Sequence, residues 1–434
     1  MTEQAANVVL SHSFLHNTRM MLHKLGLSSH LTHKANLKQT RYGWLRLTPA
    51  YSVHLVQELL SSIAPQDAIV LDPFCGTGTT ALVCAEKGIA VDTTDINPFL
   101  LWLTKVKTAP YSSDDVAGFQ SAAQAISESI EVSHSDNVWI PPIHQIGRWW
   151  DSDVLQILGR MMGMIHRMGE IYPEKVTNLL KVAFCRVMIA HSNASFDHQS
   201  MSFKQKTKAS LFYDVADNLR ATWEVVVSEI ASSARSDIRT TPGIFLCDAR
   251  NLSASLPHHS YTCVITSPPY PNRMSYIREL RPYMYWLDYL RDGREAGELD
   301  WKAIGGAWGI ATSRVGKWSP SEPHTIPYAG FPAIIARIAA KSDILARYVH
   351  KYFYDMVLHI DEVFAVTRSE ASIHYIVGNS KFYDVVVPVE EIFAAMFEDR
   401  GFVDVTVRPI RKRTSKKELY EFIVSARRPS HLIR

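Results

Sequence analysis

Cysteine is scarce in this chain, and what there is forms no pattern. The five, Cys75, Cys84, Cys185, Cys247 and Cys263, include no pair spaced C-x-x-C. That excludes a disulfide framework and the common zinc ligand spacings, and no metal is expected. No Pro-Cys pair occurs either. A thiolate nucleophile in that setting is therefore set aside. No run of about 20 uncharged apolar residues is present, so nothing is expected to span a membrane. The N-terminus has no basic start followed by an apolar run, and a secretory signal is not expected. A reducing, cytoplasmic setting is the expectation.

Acidic residues are missing from one stretch altogether. Between Gln4 and Gln57 there is no Asp or Glu, while Arg19, Lys24, Lys34, Lys38, Arg41 and Arg46 lie there with six histidines. Charge of one sign suits a polyanion, although a pair of solvated helices would carry it equally well. The net charge of the whole chain is only +3. Its 434 residues, 47% hydrophobic, can bury one large core or two ordinary ones.

Apolar residues 68–71 (AIVL) end in Asp72-Pro73 and then glycines, which predicts a buried strand and a tight turn. A helix over 79–87 closed by Gly88 and a strand over 89–95 complete a βαβ unit. From 112 to 238 the apolar spacing is helical, as in Val154, Leu155, Leu158, Met161, Met162 and Ile165. Strand signals return at 243–247 and 261–266. After a Gly/Pro-rich segment come a helix at 352–366, a strand at 372–377, a helix at 389–400, and strands at 403–408 and 420–426. The sum is an α/β domain interrupted by helices.

Two constellations carry chemistry. The first is Asp72-Pro73-Phe74-Cys75-Gly76-Thr77-Gly78-Thr79-Thr80. Its glycines suit a backbone that must approach a ligand, at a strand's carboxyl end where open α/β sheets bind. Asp95 ends the next strand, where an acid accepts from ribose hydroxyls. There is neither a third glycine at dinucleotide spacing nor a GK[ST], so a nucleoside fits better than a phosphate. The second is Thr266-Ser267-Pro268-Pro269-Tyr270. Two prolines stiffen the corner and remove two donors, leaving the Ser267 hydroxyl and carbonyls as acceptors for an amino group. Tyr270 adds a face on which a base can stack. Taken alone, SPPY would be an ordinary turn.

Together, DPFCGTGTT and TSPPY resemble the S-adenosylmethionine-dependent DNA amino-methyltransferases, which make N4-methylcytosine or N6-methyladenine. Thr48-Pro49-Ala50-Tyr51, Pro271-Asn272-Arg273-Met274-Ser275-Tyr276, Val377-Gly378-Asn379-Ser380, and Arg411-Lys412-Arg413 with Glu418-Leu419-Tyr420-Glu421 also resemble family segments. The cofactor turn precedes SPPY here, the reverse of many members. The resemblance implies a Rossmann-like methyltransferase sheet, mostly parallel with one antiparallel strand, and a helical insertion. The implied division is a basic segment 1–45, a first methyltransferase part 46–110, the insertion 111–240, and a second part 241–434 with a candidate recognition segment 293–331.

The cofactor implied is S-adenosyl-L-methionine. Thr48, Tyr51, Asp72, Pro73, Phe74, Cys75, Gly76, Gly78, Thr79, Thr80, Asp95, Ile96, Asn97, Asp248 and Ala249 would line it, with Asp95 on the ribose and Asp248 on the adenine amino group. Ser267, Pro268, Pro269 and Tyr270 would hold a flipped base. Serine at the first position points to cytosine N4, with adenine N6 as the alternative. An RNA methyltransferase, or a nucleic-acid-binding protein that has lost catalysis, are further alternatives on the same sheet. Double-stranded DNA is the implied partner, with a cognate restriction endonuclease in a bacterial, archaeal or phage setting. Phosphate contacts are expected from Lys204, Lys206 and Lys208 and from Arg408, Arg411, Lys412, Arg413, Lys416 and Lys417. Trp301, Trp308 and Trp318 mark the recognition segment.

Overall fold

The structure is a computed structural model. It describes residues 36, 41–45, 47, 51–61, 67–130, 138–195, 202–203, 214–272, 275–306, 310–321, 325–413 and 418–430. Seven strands form one sheet: β1 Ile69–Asp72, β2 Ala90–Asp95, β3 Gly243–Leu246, β4 Tyr261–Thr266, β5 Thr367–Gly378, β6 Val403–Lys412 and β7 Tyr420–Arg427. Their order is 3-2-1-4-5-7-6. β2 and β4 pair with β1 in parallel, β3 pairs with β2 in parallel, and β5 pairs with β4 in parallel. β7 alone runs against its neighbours β5 and β6. This is the expected Rossmann-like sheet with one reversed strand. β1 and β4 read as near-continuous apolar runs because helices cover both faces of a parallel sheet.

The helices begin with α1 Val53–Leu60, α2 Thr79–Lys87 and α3 Pro98–Thr108. α2 ends at Gly88, whose φ of 74° admits the left-handed closing residue. α3 starts with the Asn97 side chain accepting from Phe99 N–H and Pro98 in the first turn. Four long helices then follow: α4 Ser113–Ser129, α5 Ser152–Ile171, α6 Glu174–Ala190 and α7 Val215–Ser233. Their shared core includes Phe119, Leu158, Met161, Leu179, Phe184 and Trp223. The same core takes in Phe99 and Leu103 of α3 and Trp286 of α8 (Tyr276–Trp286). These helices therefore share one core with α3 and α8.

Between residues 293 and 331 the chain is more regular than its glycines suggest. It forms α9 Gly293–Lys302, opened by Asp292 accepting from two backbone N–H groups, and α10 Ile310–Val315. α11 Phe331–Ala339, the long α12 Asp343–Val366 and α13 Val389–Arg400 complete the fold. Two short ribbons pair Ala194–Ser195 with Ser202–Phe203 and Ser380–Phe382 with Val385–Val387. Among the described residues no helix is long and apolar enough to cross a membrane.

One of the basic N-terminal residues has a different role from the one expected. Arg41 is fully buried. Its guanidinium donates to the carbonyls of Lys107, Ala109, Ala234 and Ser236 at 2.9, 2.5, 2.6 and 3.0 Å. It caps the carboxyl ends of α3 and α7, where a cation meets orphan carbonyls and the negative end of the helix dipole. Arg41 is thus a clamp between the sheet layer and the helical region, unavailable to phosphate. Arg19, Lys24, Lys34, Lys38 and Arg46 lie outside the described residues.

Candidate active site

β1, β2, β3 and β4 are neighbours in the sheet, and their carboxyl ends carry Asp72, Asp95, Asp248 and Ser267 respectively. β1 lies where the strand order reverses, which in open α/β sheets opens a crevice for a ligand. Residues widely separated in the chain are thereby brought to one edge.

Asp72 is buried at the root of the crevice. Its carboxylate accepts from the Thr266 hydroxyl at 2.6 Å, the Tyr51 hydroxyl at 3.0 Å and the Phe74 N–H at 3.2 Å. Burial pushes its pKa up to about 7, against the pull of these donors. Tyr51 also bonds the Thr80 hydroxyl. Thr266 ends β4, so one carboxyl joins the start of the glycine turn to the start of the SPPY corner.

The turn itself is held from below. Cys75 N–H donates to Thr94 O and Gly78 N–H to Cys75 O, both at 2.8 Å. Asp95 accepts from Gly76 N–H at 3.1 Å with one oxygen and from Asn97 N–H at 2.9 Å with the other. Each oxygen keeps a further lone pair, so the acid can still accept from a hydroxyl. Burial raises its pKa to about 6. Gly76 and Gly78 have φ of 50° and 74°. The sequence suggested that Gly78 leaves room for a ligand. The structure gives another reason: a Cβ there would stand 2.5 Å from the Thr104 hydroxyl on α3. Cys75 also turns inward, its sulfur 2.9 Å from Thr104 Oγ1. The Asn97 side chain is spent on capping α3. Thr48 lies outside the described residues.

Lys107 was not foreseen. It is buried on α3, and its ammonium donates to Thr77 O at 3.0 Å inside the turn. Burial lowers its pKa to about 8. A lysine in the last turn of an apolar helix gave no signal beyond ordinary dipole complementarity.

On the third strand end, Asp248 is gripped by Arg250, with contacts of 2.7 and 3.0 Å to its two oxygens. Burial alone would raise the Asp248 pKa, but the bonds and charge of Arg250 outweigh it and the net shift is downward. Arg250 reaches on to Asp355 of α12 at 3.0 Å, which also holds Lys351 at 2.6 Å. His359, fully buried on α12, meets Ala249 O at 2.8 Å and the Tyr375 hydroxyl at 2.6 Å. A ring nitrogen facing a carbonyl must carry the proton, so Nδ1 donates and Nε2 accepts from Tyr375. Burial lowers the His359 pKa to about 4, which keeps the ring neutral. Phe74 packs its edge on this ring, centroids 4.7 Å apart. Phe74, Asp248 and Ala249 are therefore backed by Arg250 and His359, two residues that local sequence did not single out.

At the fourth strand end, the Ser267 hydroxyl donates to Ile376 O at 2.9 Å. That bond uses the proton, so toward a ligand the oxygen acts as an acceptor. Pro269 O is taken by the Tyr352 hydroxyl at 2.8 Å, and Tyr270 N–H donates to the Tyr276 hydroxyl at 3.3 Å. The acceptors left for an amine are the Ser267 oxygen and the Pro268 carbonyl. The Tyr270 hydroxyl points to Glu421 at 3.5 Å, and the Arg413 guanidinium lies 5.1 Å from the ring centroid.

Three of the described arginines in the basic run 408–417 are engaged within the chain. Arg411 pairs with Glu421 at 2.9 Å, Arg408 with Glu58 at 2.9 Å, and Arg413 turns in to Tyr270. Lys204, Lys206, Lys208, Lys416 and Lys417 lie outside the described residues, as do Trp308, Arg273 and Met274. Trp301 packs under Lys351 and Arg314, and Trp318 against His350 and Tyr354, so both rings are half-buried against neighbouring side chains.

The chain is similar to known methyltransferases. A model of the DNA methylase family of N6 and N4 methyltransferases matches residues 29–101, which include the glycine turn and Asp95. The chain is 19% identical over 279 residues to the Type II methyltransferase M.AvaI of Nostoc, covering 60% of this chain and 56% of that protein. It is 22% identical over 349 residues to the Type II methyltransferase M.MvaI of Kocuria varians, covering 74% and 72%. The chain thus spans little more than half the length of M.AvaI. The rRNA methyltransferase aviRa from Streptomyces viridochromogenes aligns over 92% of this chain at 11% identity, but with a TM-score of 0.29 it carries no argument. S-adenosylmethionine is the methyl donor of this family, and the residues fit it. A glycine turn, two strand-end acids and an aromatic edge converge on one crevice.

Proposed function

We propose that this chain, an amino-methyltransferase by family resemblance, transfers a methyl group from S-adenosylmethionine to an exocyclic amino nitrogen in DNA, with cytosine N4 as the target. The observation that carries the reading is the meeting of the glycine turn, Asp95, Asp248 and the SPPY corner at four adjacent strand ends.

The bound cofactor would supply an electrophilic sulfonium methyl. Asp95 would hold its ribose hydroxyls, and Asp248, kept ionised by Arg250, would accept from its adenine amino group. Phe74, backed by His359, would bound the adenine site. The target amine is a weak nucleophile because its lone pair is conjugated with the ring. Ser267 and the Pro268 carbonyl accept its N–H bonds and favour a pyramidal nitrogen whose lone pair is freed. Both acceptors are fixed before substrate arrives, Ser267 by Ile376 and the corner by Tyr352, so little reorganisation is needed. Tyr270 would stack the base once it leaves the duplex. No covalent enzyme intermediate is required.

Cytosine is favoured over adenine because the first corner residue is Ser267, as in family members that mostly act on cytosine, whereas Asn or Asp there favours adenine. DNA contact is assigned to residues 1–45 outside the Arg41 clamp and to 293–331. The Type II names of the relatives make a cognate endonuclease the partner to look for. The test is to incubate the protein with labelled cofactor and DNA, digest to nucleosides and identify the product. N4-methyldeoxycytidine is expected. N6-methyldeoxyadenosine would move the target to adenine, label confined to RNA would move the substrate, and no label with intact cofactor binding would leave a binding protein.

A further inference from the structure

Arg413 stands among residues that sequence alone assigns to phosphate, yet its surroundings point elsewhere. Its guanidinium lies 5.1 Å from the Tyr270 ring centroid and donates to Asn379 O at 3.1 Å. Its backbone is held as well, with Arg413 N–H donating to Leu419 O at 2.7 Å. Asn379 in turn accepts from Tyr420 N–H at 2.8 Å and donates to Glu418 O at 3.2 Å. The corner after β5 and the β6–β7 hairpin are thereby fastened together behind Tyr270. Gly378 permits the contact: a Cβ there would stand 2.9 Å from Tyr270 Cε2 and 2.8 Å from Arg413 Nη1.

We propose that Arg413 is a positioning residue for the target base, resting on the functional reading above. It occupies one face of Tyr270 and fixes the ring plane, so that a flipped base must stack on the opposite face. A guanidinium over a tyrosine face is attracted by the ring quadrupole, and the attraction grows as water is excluded. The ring is the stacking platform, and its fixed tilt decides whether the amine meets Ser267 and the Pro268 carbonyl. The contacts of Arg413 are to Tyr270, Asn379 and Leu419, so its loss acts through Tyr270.

The test uses Arg413→Met, Arg413→Lys and Gly378→Ala in the full chain. Three quantities are read: methyl-transfer kcat and KM with DNA, cofactor affinity by calorimetry, and fluorescence of 2-aminopurine at the target position. Arg413→Met should lower kcat/KM about tenfold and weaken the flipping signal. Cofactor affinity should stay within about twofold. Arg413→Lys keeps the charge over the ring and should fall between Met and wild type. Gly378→Ala crowds both the Tyr270 ring and the Arg413 guanidinium and should likewise weaken flipping and turnover, which covers the case of a poorly folded Met variant. Unchanged flipping and turnover in both Arg413→Met and Gly378→Ala would overturn the inference. So would loss of cofactor binding in step with turnover, or a Lys variant no better than Met. A wild-type protein that methylates no nucleic acid would overturn the functional reading itself, and this inference with it.

Discussion

Replacing Gly78 with alanine separates two explanations of the cofactor turn. At φ of 74° an alanine adopts a left-handed conformation that costs roughly 1–2 kcal/mol. Its Cβ would also stand 2.5 Å from Thr104 Oγ1 and 2.9 Å from Thr104 Cγ2. Thr104 cannot easily withdraw. It is buried, its hydroxyl donates to Leu100 O at 3.0 Å, and Cys75 Sγ lies 2.9 Å away. Overpacking of this kind costs about 1–3 kcal/mol. The two contributions together destabilise the protein by about 2–5 kcal/mol. The assay is urea unfolding of Gly78→Ala, Thr104→Ala and the double variant, with cofactor titration of each. Removing the Thr104 side chain should recover about 1–3 kcal/mol of the alanine cost and leave the left-handed share behind. An alanine cost that is the same in both backgrounds would refute the packing argument. If cofactor affinity then fell equally in both, the glycine would be there for the ligand.

Perturbations at four further positions test the remaining parts. Asp95→Asn keeps one acceptor but loses a charge-assisted bond to Gly76 or Asn97, so cofactor affinity should fall by roughly 1.5–3 kcal/mol, read by calorimetry. Ser267→Ala should lower turnover about tenfold with cofactor affinity unchanged, less than loss of a sole preorganised partner because the Pro268 carbonyl remains; loss of cofactor binding would reverse the two pockets. Tyr270→Phe should retain most activity while Tyr270→Ala loses about 1–3 kcal/mol of stacking, measured as 2-aminopurine fluorescence; equal inactivity of the two would give the hydroxyl a chemical part. Glu390 is buried, and burial raises its pKa to about 8 from an ordinary value near 4.5. The folded state therefore keeps a proton that the unfolded chain releases, and stability contributed by Glu390 is full below about pH 4.5 and lost as pH rises toward 8. Glu390→Gln should flatten that decline by several kcal/mol in denaturant midpoints followed from pH 5 to 8, and an unchanged slope would be the refuting result.

The sequence by itself determined those features that depend on a residue's immediate neighbours. An apolar run followed by Asp72-Pro73 and glycines becomes β1 and a turn because each residue's own conformational range dictates it. Gly88 closes α2 and Asn97-Pro98 opens α3 for the same local reason. The doubled proline makes a stiff corner wherever it is placed, and helical spacing of apolar residues marked α5 before any packing was known.

What only the tertiary structure decided is which polar group meets which. Asp72 is tied to Thr266 across 194 residues, and Arg41 to Ala234 across 193. A pattern of period two or 3.6 reports the face a residue occupies, not the distant element that will cover it. Arg41 and Arg413 therefore read as surface charge, yet one clamps helix ends and the other lies on Tyr270. Lys107 and His359 carried no signal in the sequence, yet they hold the Thr77 and Ala249 carbonyls. The 293–331 segment showed only its glycines and prolines in sequence, while the structure forms α9 and α10 there, with Trp301 of α9 packed under Lys351 of α12. Burial converts a side chain's charge and donors from solvent-facing groups into obligatory partners, and burial is a property of the assembled sheet and helices alone.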